Sequence, residues 1–441
     1  MLAGCPDRTI AKDPPVEVGE SQKDIQISED IDLLFVIDNS ASTTDKQALF
    51  TQNFPRFVDA LDAFPQGRPN LHIGVVNTTV NIEQGAIGGC PVPDPSDNGL
   101  LQPGGTFLED IASPTGRQTN YTGSLADAFS ARATVGATGC GYEAPLNAMK
   151  RALDGTDPQN AGFLRDNAFL GIVILTDEDD CSAQDPSLFT VSEAQAGPAD
   201  FRCTEFAYTC DEPISPSHDG TYHDCVPRTD SYLAPPADFA SFLSTLKPPG
   251  RTVVSLIAGD RATDISTGPL TVPGTGQTQA LALQPSCMTT IGKDTAIARP
   301  PIRLGDFLDR FADHGLFERI CQSSYEQALV DIGNLIFTSV SPCLEGALDT
   351  TDQDPANPGT QLDCTVSEVI TTVTDESETS IPRCPMADDT TPAANAPSPC
   401  WWVKQDTAAC VTDTGYELEI SPANRTPDPN SSLRVRCATT P

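Results

Sequence analysis

The chain has 441 residues, with 26 basic and 61 acidic side chains and a net charge of −35 at pH 7. A surface this acidic repels phosphate backbones and anionic headgroups, which argues against sequence-independent binding to nucleic acid or to a lipid surface. Hydrophobic residues make up 38% of the chain and aromatics 6%, enough for one good core with loop-rich additions, and the longest apolar run, residues 168–175, falls far short of the roughly 18 residues that a membrane span needs.

The chain opens Met1-Leu2-Ala3-Gly4-Cys5. Leu-Ala-Gly-Cys resembles a bacterial lipobox, in which the cysteine carries lipid after cleavage, although no charged or apolar leader precedes it here. Residues 6–29 are polar and include Pro14-Pro15, so residues 1–29 read as a lipobox-like start and a flexible tether.

Strands and helices alternate from there. Ile31 to Ile37 is a short run of β-formers that predicts a buried strand. Thr44 to Phe64 carries Leu49, Phe50, Phe54, Phe57, Val58 and Leu61 at helical spacing, with a kink expected at Pro55. Leu71 to Val80 predicts a second strand, and residues 84–105, rich in Gly and Pro, a loop. Glu143 to Leu153 predicts a helix with Pro145 in its first turn. Phe169 to Leu175 is the most apolar strand and is expected at the centre of the sheet. Ala237 to Leu246 is a helix stopped by Pro248-Pro249-Gly250, Arg251 to Ala258 another strand, and Leu304 to Phe311 and Tyr325 to Val340 the last helices. This order implies parallel βαβ units, and so an α/β fold with a doubly wound, mostly parallel sheet over residues 30–342. Within it, 181–235 reads as a cysteine-rich insertion and 262–300 as a second excursion.

Residues 343–441 differ. They hold six cysteines, many Thr, Pro and Asp, and no helical period, and they read as a small disulfide-rich β module whose core Trp401 and Trp402 fill. The chain has fifteen cysteines without C-x2-C zinc spacing, which points to disulfides in an oxidising compartment. Setting Cys5 aside leaves 15 − 1 = 14, an even set for seven bridges.

The strand Leu33 to Ile37 ends in Asp38-Asn39-Ser40-Ala41-Ser42, a D-x-S-x-S at the carboxyl end of a buried strand. In an open α/β sheet ligands bind there. The alternate spacing lets one carboxylate and two hydroxyls face one point, and oxygen-only ligands of low charge suit a hard divalent cation such as Mg²⁺. A second apolar strand, Gly171 to Leu175, runs into Thr176-Asp177. Together these segments resemble the metal-ion-dependent adhesion site of von Willebrand factor A domains and integrin I domains, over residues 30–342 with insertions. The resemblance implies Mg²⁺, or Ca²⁺ or Mn²⁺, held by Asp38, Ser40, Ser42 and Asp177. It also implies a third hydroxyl ligand, for which Thr138 is the nearest candidate and Glu143 a substitute. The cation would keep an open position for a Glu or Asp carboxylate of a protein partner, and the helix Tyr325 to Val340 would be the one whose shift accompanies binding. Cys140 and Cys181 both follow metal-site segments, and a bridge between them would pin those loops. The acidic run Asp177-Glu178-Asp179-Asp180 reads as a solvated loop, with a second cation site as the sharper alternative.

No enzyme is read here. A G-x-S-x-G nucleophile and a Gly-rich phosphate loop are both absent. Of the four histidines, His72 lies in a strand, and His218 and His223 lie in the cysteine-rich insertion, where a surface loop is expected. The expectation is metal-dependent adhesion to a protein ligand by a lipid-anchored or secreted bacterial envelope protein. The alternative is an envelope assembly lipoprotein whose metal only stabilises the fold. Membrane contact is expected only through a lipid on Cys5.

Overall fold

The computed structural model describes residues 19–25, 30–64, 67–81, 90, 97–166, 168–190, 201–247, 250–271, 273, 278–340, 343–344, 348–371, 376–405, 407, 410, 415–421 and 431–439. Cys5 and the lipobox-like start lie outside these residues.

The chain begins with strand β1 (Gly19–Ile25), then β2 (Asp30–Ile37), helices α1 (Thr44–Asn53) and α2 (Pro55–Asp62), and strands β3 (Asn70–Asn77), β4 (Leu108–Ser113) and β5 (Gly116–Thr119). Helices α3 (Leu125–Ala133) and α4 (Pro145–Leu153) lead into β6 (Phe169–Leu175). The insertion contributes α5 (Arg202–Ala207), β7 (Tyr208–Thr209), β8 (Gly220–Tyr222) and β9 (Val226–Pro227). Helix α6 (Pro236–Leu246) and strand β10 (Thr252–Ala258) follow, and the excursion holds β11 (Ile265–Thr271), β12 (Thr278–Leu283), β13 (Cys287–Ile291) and β14 (Asp294–Ala298). Helix α7 (Ile302–Leu308), β15 (Gly315–Arg319) and α8 (Glu326–Val340) complete the α/β part. The C-terminal module has β16 (Cys364–Thr371), β17 (Glu376–Ile381), β18 (Cys400–Gln405), β19 (Tyr416–Ser421) and β20 (Ser431–Thr439).

The main sheet has seven strands in the order β15-β10-β6-β2-β3-β4-β5. The five from β15 to β3 are parallel, and β4 and β5 add an antiparallel edge. This is the doubly wound, mostly parallel α/β sheet. Its middle strand is β2, with β6 beside it, one place from where the apolar run of β6 alone put it. Side chains alternate along β2: Ile31, Leu33, Phe35 and Ile37 face the core under α1, α2, α3 and α8, while Leu34 and Val36 face the core under α4, α6 and α7. Both faces are covered, which is why the strand reads as one continuous apolar run. Phe35 meets Phe50, Phe54, Phe57 and Phe129 at ring-centroid distances of 6.1, 5.7, 5.9 and 4.6 Å.

Pro55 separates α1 from α2, as its missing N–H requires. α2 packs closely on α8, where a Cβ on Gly333 would come within 2.6 Å of the Ala60 Cβ. Since that methyl is fixed to the α2 backbone, Gly333→Ala has to push two helices apart. We expect a loss of about 1–3 kcal/mol, read as a lower denaturant midpoint; an unchanged midpoint would show that the helices separate at no cost.

The insertion and the excursion are joined, because β11 pairs with β8 on one side and β12 on the other. Among the described residues seven disulfides pair all fourteen cysteines: 90–140, 181–203, 210–225, 287–321, 343–410, 364–437 and 384–400. The expected bridge between Cys140 and Cys181 is therefore corrected. Cys140 reaches back to Cys90, inside the 84–105 segment, and Cys181 staples the insertion at Cys203. Cys321 and Cys343 flank α8 but are tied to different partners, the β13 strand and the C-terminal module.

The C-terminal module is a β structure held by three of these bridges, with Trp401 buried in its core and its indole N–H donated to Ile381 O. Its larger sheet runs β1-β20-β16-β17. The expectation of a tether across 6–29 is thus revised over Gly19–Ile25, which pairs antiparallel with β20 from Gly19↔Thr439 to Ile25↔Leu433. Among the described residues no helix is long and apolar enough to cross a membrane.

Candidate metal centre

β3 and β6 lie on opposite sides of β2, so the winding of the sheet reverses at this strand. Loops leaving the carboxyl ends of β2 and β6 lead to helices on opposite faces, the arrangement at which open α/β sheets bind ligands. Asp38 follows β2 directly, and its N–H donates to Leu175 O at 2.9 Å, which carries the β2–β6 ladder one step past the strand. Asp177 stands at the matching end of β6.

The D-x-S-x-S turn is fixed by its own polar atoms. Asp38 is fully buried. Its Oδ1 accepts from the Ser40 N–H at 2.8 Å and its Oδ2 from the Thr176 hydroxyl at 2.8 Å. The Thr43 hydroxyl donates to Asp38 O and Ser40 O, both at 2.9 Å, and the Gln47 amide donates to Asp38 O and Gly136 O, both at 2.7 Å. Ser40 Oγ and Ser42 Oγ are 3.1 Å apart, and the Ser42 hydroxyl donates to Asp177 Oδ1 at 3.0 Å. Asp38, Ser40, Ser42 and Asp177 are thereby brought together. The neighbouring loop packs on this turn through Gly139, whose N–H donates to Asn39 O at 2.8 Å. A Cβ there would meet Asn39 Oδ1 at 2.3 Å, so a larger residue has to displace the Asn39 amide from Thr78 and Thr79.

Thr138, on the same loop, is exposed, and no hydrogen bond ties it to the four residues among those described. Glu143 is the buried acid of this loop. Burial, then the charges of Glu178 and Asp38, push its carboxyl well above the usual range, and its Oε1 is buried without a hydrogen-bond partner. Asp38 is pushed up to about 7, first by burial and then by the charge of Asp177.

The acidic run is not a solvated loop, and this expectation is corrected. Asp179 accepts from the Arg303 and Leu304 N–H groups at 2.8 and 3.0 Å and from the Tyr208 hydroxyl at 2.8 Å. Asp180 is buried; it accepts from Arg303 Nη2 at 3.0 Å, from the Ser182 hydroxyl at 2.6 Å and from the Leu146 N–H in the first turn of α4. Both point away from the hydroxyls. Glu178 pairs with Arg299 at 2.7 Å, and the Arg299 N–H donates to Asp177 O, so the end of the excursion lies along the site. Among the described residues no group of three or more His, Cys, Asp or Glu could hold a metal, so a second cation site in this run finds no support.

Sequence reasoning missed Lys46. It lies in the first turn of α1 and is buried, with Nζ 2.9 Å from Asp177 Oδ2, 2.8 Å from Ser42 O and 3.5 Å from Asp45 Oδ1. Burial disfavours its ammonium, but Asp177 and Asp45 more than offset that and hold it above the ordinary lysine range. The Asp177 contact is an ion pair rather than a well-aligned hydrogen bond. Its one sequence signal is its position four residues after Ser42, where a helix brings a side chain back over the preceding turn. Arg299 had none, since its partner lies 121 residues away.

The donor set fits a hard divalent cation. It offers two carboxylates and two hydroxyls, all oxygen. Lys46 offsets Asp177 and Arg299 offsets Glu178, with Glu143 also within reach of the Arg299 charge, while Asp38 forms no ion pair among the described residues. Buried carboxylates left in this state are costly unless paired or coordinated.

No protein-family model matches the chain, and no curated protein does. Solved structures that match include the conserved hypothetical protein BatB from Bacteroides thetaiotaomicron, at 11% identity and a TM-score of 0.30, covering 70% of this chain and 98% of that one. A von Willebrand factor type A protein from Catenulispora acidiphila matches at 11% identity and a TM-score of 0.29, over 96% of this chain and 66% of that one. The pilus adhesin SpaC from Lactobacillus rhamnosus GG, in an open conformation, matches at 8% identity and a TM-score of 0.32, over 95% of this chain and 40% of that one. Scores this low carry no argument about function, and the fold rests on the strand order itself.

Proposed function

We propose that the α/β part is a von Willebrand factor A-type domain that binds a protein partner through a divalent cation, Mg²⁺ or one of its relatives Ca²⁺ and Mn²⁺. The observation that supports this most is the convergence of Asp38, Ser40, Ser42 and Asp177 at the point where the sheet reverses its winding. These four residues would hold the cation, with Thr138, exposed on the neighbouring loop, and the buried Glu143, which feels the charge of Asp38, as the alternatives for a further ligand. When bound, the cation supplies an electrophilic position that a Glu or Asp carboxylate of the partner can fill. The chain's own task is to hold two hydroxyls and one aspartate rigidly in place, which the Thr43, Gln47 and Thr176 hydrogen bonds do.

Seven disulfides suit an oxidising compartment. With the lipobox-like start they support a place on the bacterial surface or in the periplasm, anchored by lipid on Cys5, or else secretion.

The test is capture of partner proteins from envelope or surface extracts on immobilised protein in Mg²⁺, with elution by EDTA. The expected result is a partner released by EDTA and not retained by Asp38→Asn. Partners that stay bound in EDTA and on Asp38→Asn would favour an assembly role instead.

A further inference from the structure

We propose that Lys46 is a built-in cation that holds Asp177 when the metal is absent and competes electrostatically with the metal when it is present. This rests on the metal reading above and concerns what sets the affinity of that site. Three features carry it. The first is place: Nζ lies 2.9 Å from one oxygen of Asp177, while the other oxygen accepts from Ser42 at 3.0 Å. One carboxylate thus faces the ammonium on one side and the cluster of hydroxyls on the other. The second is enclosure. The Lys46 and Asp177 side chains are each only 2% exposed, so solvent screens neither charge. The third is attachment. Nζ is also held by Ser42 O at 2.8 Å, the backbone of a hydroxyl that would bind the metal.

The consequences run in opposite directions. Without metal, the ammonium spares the fold a buried, unpaired Asp177, so the site stays formed while vacant. With metal, the same positive charge repels the incoming cation and pulls electron density from one of its ligands, which weakens binding. A site of this kind exchanges its cation without unfolding, at the expense of affinity.

The experiment compares the parent chain with Lys46→Met, by thermal unfolding in EDTA and in excess Mg²⁺ and by calorimetric titration with Mg²⁺. Lys46→Met is expected to unfold roughly 5–15 °C lower in EDTA, to recover more than the parent does in Mg²⁺, and to bind Mg²⁺ about tenfold more tightly or better. If Lys46→Met does not fold in EDTA, the double variant Lys46→Met/Asp177→Asn, which removes both buried charges, is expected to fold there and to lack the Mg²⁺ response. Equal Mg²⁺ affinity and equal gains in the parent and Lys46→Met would overturn the inference alone, as would weaker binding by the variant, which would make Lys46 a positioning residue only. Absence of any Mg²⁺ response in the parent and in Lys46→Met would overturn the metal reading and the inference with it.

Discussion

Replacing Arg303 by methionine will cost about 3–5 kcal/mol of folding stability. Arg303 and Asp180 are both fully buried, with Nη2 3.0 Å from Oδ2. The guanidinium also donates to Asp180 O at 2.9 Å and to Ala234 O at 2.6 Å, so it ties the loop after β6 to the segment that enters α6. Methionine keeps the length of the side chain and removes the charge, which leaves Asp180 buried with only hydroxyl and backbone donors. The denaturant midpoint should fall with the slope unchanged. Arg303→Met/Asp180→Asn should regain much of the loss, because the penalty lies in the orphaned charge. A loss below about 1 kcal/mol would mean that this pair contributes no more than an exposed one.

The second large effect is the response to metal. At Mg²⁺ a hundred times above its dissociation constant, the parent chain should gain about 2.7 kcal/mol, which for a domain of this size is a rise of roughly 5–10 °C in Tm. Asp38→Asn should abolish the gain. In EDTA the same variant should be no less stable than the parent. The amide can still accept from the Ser40 N–H, and it removes a buried charge that Asp177 opposes. A Mg²⁺ gain that survives Asp38→Asn would place the cation elsewhere.

What could be read from the chain, and what could not, follows from the physics of each element. β2 and β6 are buried on both faces, so their apolar runs announce them. Asp38, Ser40 and Ser42 are legible because three donors on one turn must be close in sequence, and Asp177 because it too ends an apolar strand. β5, Gly-Arg-Gln-Thr, is exposed along its whole length and carries no apolar pattern to find. The acidic run reads as solvated because its partners lie far along the chain, Arg299 at the end of the excursion and Arg303 in the first turn of α7. Disulfide partners are similarly hidden: Cys90 and Cys140 are 50 residues apart, with β4, β5 and α3 between them.

The pairing of β1 with β20 has a consequence for synthesis. The seven strands of the α/β sheet all lie within residues 30–319, so that sheet can form as soon as they have been made. The sheet of the C-terminal module cannot, because β20 is an inner strand, flanked by β1 and β16, and is the last of them to appear. The Cys364–Cys437 bridge closes at the same late moment. β1 must therefore wait, unpaired, until β20 has been made. Its sequence, Gly-Glu-Ser-Gln-Lys-Asp-Ile, is polar and charged, the composition that lets an open strand edge wait without recruiting another chain.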